Sequence, residues 1–165
     1  MKVSNNAFRK LIKGTFLATL LLAAQEGGRP FHEATWILVG AVLTSVVDAY
    51  ATHMSAPHDD GFGAYFGSLY RGLLNDAART LGALPTVVLL VIAGTFGWPK
   101  DEHHPGGGGT AGYETVILNA NVLLLFIFGI LAAHRSGSSW RGTLMFALMN
   151  AALGWLIVIV ELALD

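Results

Sequence analysis

The feature that most constrains this chain is a set of long apolar runs separated by short polar breaks. Residues 80–98 hold no charged side chain, and 34–55, 113–133 and 142–164 hold one each, Asp48, Glu114 and Glu161. A membrane-spanning helix takes about 17–25 mostly apolar residues, so these four runs read as spans. A fifth and shorter run covers 11–24 and carries Gly14, Thr15 and Thr19. The expected fold is an all-α, polytopic transmembrane helical bundle of five spans, forming a single domain over 1–165. Composition agrees with this. The chain is 53% hydrophobic and 13% charged, about half the charge of an ordinary soluble domain. That excludes a soluble monomer, and it excludes a disordered chain, which needs low hydrophobicity and high charge. Ten basic residues against eleven acidic ones exclude a nucleic-acid binder held by bulk positive charge. With no cysteine, disulfides, thiolate zinc sites and thiol nucleophiles are excluded too.

The positive-inside rule orients the spans because every loop is short. With the N-terminus inside, Lys2, Arg9, Lys10, Lys13, Arg71, Arg79, Arg135 and Arg141 fall on the cytoplasmic side, and only Arg29 and Lys100 fall outside. The expected topology is N-in and C-out, in a bacterial plasma (inner) membrane. The 11–24 run also has the layout of a signal peptide, with a basic start and Ala23-Ala24 before Gln25. It reads here as a retained helix.

The longest cytoplasmic connection, 57–79, spaces Phe62, Tyr65, Phe66, Leu69, Tyr70, Leu73 and Leu74 at threes and fours. That spacing predicts an amphipathic interfacial helix between spans two and three. Outside, residues 99–112 read PKDEHHPGGGGTAG, a solvated loop whose Asp101, Glu102, His103 and His104 lack a rigid turn to gather them on an ion. Pro85 lies about a turn into span three, where it bends or starts that helix.

Charges inside a span are costly and mark pathways, relays or partners. Asp48 is therefore the most informative residue. Thr44, Ser45, Asp48 and Thr52 share one helical stripe, a carboxylate among hydroxyls suited to a cation or a proton. The same groups also suit an inter-helix hydrogen bond. Asn121 in span four and Asn150 in span five complete the expected pathway. Asn119 faces away from Asn121, whereas Thr143, Ala147, Asn150, Gly154 and Glu161 form a small and polar seam suited to close packing. Toward the cytoplasmic mouth His53, Met54, His58 and Asp59 supply imidazole, thioether and carboxylate ligands for a divalent cation. No G-x-S-x-G, H-E-x-x-H or P-loop occurs, and an enzyme is not expected.

The order of elements, with the stretch GILAAHRSGSSWRG at 129–142 and NAALG at 150–154, resembles the vacuolar iron transporter family. In layout it more closely resembles small uncharacterised bacterial integral membrane proteins. The resemblance implies a dimer with a cation path between protomers, and places Asp48 and Met54 where that family has carboxylate and methionine ligands. The family's first-span carboxylate has no counterpart here, where that run offers Gly14, Thr15 and Thr19. The expected function is a small transporter or channel for a cation or proton, a homo-oligomer in the lipid bilayer with no resident cofactor. The alternative is a non-transporting accessory or structural subunit of a membrane complex, with a partner chain of its own.

Overall fold

The computed structural model describes residues 5–25, 29–54, 62–99 and 112–164, and within these the side chains of 7–25, 29–51, 70, 79–99 and 112–160. The described residues form five helices and no strand: α1 (Asn5–Ala23), α2 (Pro30–Met54), α3 (Phe62–Thr95), α4 (Tyr113–Arg135) and α5 (Trp140–Leu164). Three of them have the length and apolarity to cross a membrane, over Pro30–Ala51, Tyr113–Arg135 and Trp140–Val160. The apolar part of α3, Arg79–Thr95, is shorter.

Helix α1 is the least apolar of the five, and its place in the fold explains why. It is in contact with each of the other four helices. A helix wrapped by protein needs small side chains and satisfied hydroxyls, not a lipid-compatible surface. Thr15, Ala18 and Thr19 are wholly buried on it. It meets α3 at a glycine crossing, where a methyl group on Gly14 would strike the Arg79 carbonyl and one on Gly82 would strike the Leu11 carbonyl. The Thr15 hydroxyl reaches the Gly82 carbonyl at 2.9 Å across this contact.

The other helices bury narrow stripes. On α2 these are Glu33, Ala34, Ile37, Ala41, Ser45 and Ala49, all but Ala34 at a spacing of four, while Val39, Leu43, Val47 and Tyr50 stay exposed. On α5 Thr143, Ala147, Asn150, Gly154 and Val158 are buried; the first four belong to the seam expected from the sequence, and the side chain of its fifth member, Glu161, lies outside the described residues. A methyl group on Gly129 of α4 would come within 2.8 Å of the Ala147 backbone. Helices α3 and α4 end alike. The Trp98 N–H donates to the Ala93 carbonyl at 2.9 Å, and the Ser138 N–H to the Ala133 carbonyl at 3.2 Å. Both caps turn on a glycine in the left-handed region, Gly97 at φ 62° and Gly137 at φ 76°, as such caps require.

Three expectations are corrected. The amphipathic segment before span three is not a separate interfacial helix; it runs unbroken into that span as the 34-residue α3. Pro85 does not start the helix. It lies deep inside α3, where it costs one hydrogen bond to the carbonyl a turn earlier, a loss packed neighbours offset. Helix α2 begins at Pro30 instead of near residue 34, because proline suits a first helical position. That extension brings Glu33 into the helix.

Candidate functional site

Polar side chains occupy three levels inside the bundle. The first level, called outer after the topology expected from the sequence (and the third inner), sits where α2 and α4 both begin. Glu33 is 1% exposed and Tyr113 is equally enclosed, and the Tyr113 hydroxyl donates to Glu33 Oε1 at 2.8 Å. Glu114, also buried, lies within reach of the same hydroxyl. Each carboxylate occupies the first turn of its helix, where the exposed N–H groups favour negative charge. That helps explain the placement but not the pairing, since Glu33 Oε2 has no hydrogen-bond partner. A groove of about 420 Å³ between α1 and α2 adjoins this level, lined by Gln25, His32, Glu33 and Trp36 among others. The Trp36 indole N–H donates to His32 Nε2 at 2.9 Å.

The middle level joins α3 to α4. Thr86 and Asn121 are wholly buried; the Thr86 hydroxyl donates to Asn121 Oδ1 at 2.8 Å, leaving the Asn121 amide nitrogen without a partner. The inner level joins α2 to α3. Asp48 and Arg79 form an ion pair in which the guanidinium is 7% exposed and the carboxylate 45%. The same guanidinium approaches the Thr44 carbonyl at 3.5 Å, and its Nε has no partner. One turn away, the Ser45 and Thr80 hydroxyls meet at 3.3 Å.

Spacing along the helices stacks these levels. Glu33 and Asp48 are separated by about 22 Å of α2 at 1.5 Å per residue. By the same rise Arg79 to Thr86 spans about 10 Å of α3, and Tyr113 to Asn121 about 12 Å of α4. The middle level therefore falls near halfway, and the stack covers much of the roughly 30 Å of a bilayer core.

Of the residues expected from the sequence, Thr44, Ser45 and Asp48 come together at the inner level, and Asn121 belongs to the middle one. Asn150 does not join them. It is buried against Gly129 on the α4–α5 side, with its amide donating to the Phe146 carbonyl at 3.2 Å. Asn119 is exposed and donates to the Thr115 carbonyl of its own helix. Thr52, His53 and Met54 lie in the last turn of α2, but their side chains lie outside the described residues, as do His58 and Asp59 and the acidic and histidine cluster of 101–104. Among the described residues, no three His, Cys, Asp or Glu side chains are grouped to hold a metal ion.

Sequence reasoning missed Glu33 and Arg79. Glu33 stood one residue outside the expected span, and Arg79 counted as a loop charge. The signal for Glu33 was the spacing of four that links it through Ile37, Ala41 and Ser45 to Ala49. No known family pattern, curated protein sequence or solved structure matches the chain.

Proposed function

We propose that this chain is a small multi-pass protein of a bacterial plasma membrane that carries a proton or small cation. In this reading all five helices cross, N-in and C-out. The observation that supports it is the stack of buried polar levels, each with one polar atom left unpartnered: Glu33 Oε2, Asn121 Nδ2 and Arg79 Nε. A buried polar group with no hydrogen bond costs about 1–3 kcal/mol. Three at successive depths, in helices apolar enough to face lipid, suit groups that exchange partners during a transport cycle. A proton or cation at Glu33 Oε2 would supply the missing contact there. Asp48 is already neutralised by Arg79, so the binding carboxylate in this reading is Glu33, with the ion pair closing the inner end. The exposed apolar faces of α2 and α5 are where lipid or a second copy of the chain would lie.

The second reading, an accessory or structural subunit, has its own support. The Thr19 and Ser45 hydroxyls bond back to carbonyls of their own helices, at 2.8 and 2.9 Å, as packing residues do. Flux into liposomes separates the two. Purified protein is assayed with protons, monovalent cations, Fe²⁺, Mn²⁺ and Zn²⁺, beside Glu33→Gln. Saturable flux of one ion, lost in the variant, is the expected result. Folded protein that carries none of them sinks the transport reading.

A further inference from the structure

A second groove, of about 390 Å³, opens between α1 and the α4–α5 hairpin. Its polar lining is Arg9, Lys13, Ser136, Ser138 and Asn150, and its floor is apolar, with Ile12 and Phe146. Both cations are exposed, and among the described residues no acidic side chain lines the groove. Asp48, an acid within Coulombic reach of Lys13, is engaged by Arg79. Nearby, Arg135 stacks over the Phe8 ring at 5.0 Å from its centroid, adding a third cation at the same end of the bundle. The Ser136 and Ser138 hydroxyls stand 3.2 Å apart, at the end of α4.

We infer that this groove seats an anionic phospholipid of the cytoplasmic leaflet, its phosphate held by Arg9, Lys13 and the serine hydroxyls and one acyl chain lying over Ile12 and Phe146. Basic pockets between helices on the cytoplasmic side take anionic headgroups in this way, and the apolar floor separates a lipid from a free anion. The inference rests on the membrane reading above and is independent of whether an ion is transported.

Native mass spectrometry of the detergent-purified chain tests it, with equal phosphatidylglycerol and phosphatidylcholine added. Phosphatidylglycerol should be retained roughly 30-fold more tightly, the ratio that two cations near an anionic headgroup supply. Arg9→Gln with Lys13→Gln should abolish the preference. Ser138→Asp, an exposed change that leaves the helices intact, should weaken it as well, so the site stays testable should the double variant fail to fold. Arg141→Gln, away from the groove, should leave it unchanged. Equal retention of the two lipids overturns the lipid site, and so does binding of inorganic phosphate with no lipid preference. Flotation with vesicles is measured alongside. Failure to float with any vesicle overturns the membrane reading itself, whereas floating without lipid preference overturns the groove alone.

Discussion

The Asp48–Arg79 pair is asymmetric, and the asymmetry makes a prediction. Arg79 is enclosed while nearly half of the Asp48 side chain is exposed, so losing the acid strands a buried cation, whereas losing the cation leaves an acid that the protein does not enclose. Asp48→Asn should lower stability by about 1–3 kcal/mol, the cost of a buried group deprived of its partner. Arg79→Met added to it should recover part of that loss, because the two residues act as one unit. Thermal unfolding of the four proteins in detergent measures the cycle, and strictly additive losses would show that the pair is not coupled. The sequence made Asp48 legible because a lone carboxylate in an apolar run stands out. Its partner was hidden because Arg79 sits at the boundary where amphipathic and apolar segments meet, and only the continuous α3 carries it inward. Glu33 was hidden for a related reason: at a helix end, a charge reads as headgroup contact until the packing of α4 encloses it.

At the scale of the helix, the arrangement turns on α1. Four more apolar helices around a more polar one keep small and hydroxyl side chains inside, as helix packing in a membrane favours, and the glycine crossing with α3 lets α1 approach closely. Gly82→Leu should therefore cost at least about 1–3 kcal/mol by overpacking, and should separate α1 from α3. Gly142→Ala should be nearly neutral, since the added methyl meets only ordinary contacts at 3.5 Å or beyond. Unfolding in detergent checks both; an unaffected Gly82→Leu would mean the crossing is looser than described. The α5 seam was readable from spacing alone, because small residues at three and four leave few other roles. The central role of α1 was not, since a short run with threonines looks like a weak span from any viewpoint that lacks its neighbours. Likewise the length of α3 escaped the sequence because aromatic spacing before Arg79 and apolar character after it suggest two elements, although nothing between them ends a helix.

For the whole molecule, transport requires the polar levels to be stacked across the bilayer, with Glu33 toward one face and Asp48 toward the other. The chain has no cysteine, so single introduced cysteines report sidedness without background. Ala24 and Phe96 lie at the end expected outside, and Ala7 and Ser139 at the end expected inside; all four are at least partly exposed. The decisive measurement is labelling of each single-cysteine variant in intact cells by a membrane-impermeant maleimide, before and after permeabilisation. The account predicts that Ala24→Cys and Phe96→Cys label in intact cells, and that Ala7→Cys and Ser139→Cys label only once the membrane is opened. Labelling of Ser139→Cys together with Phe96→Cys in intact cells would contradict it, because α4 would then not cross and the three levels would not connect two sides of a membrane.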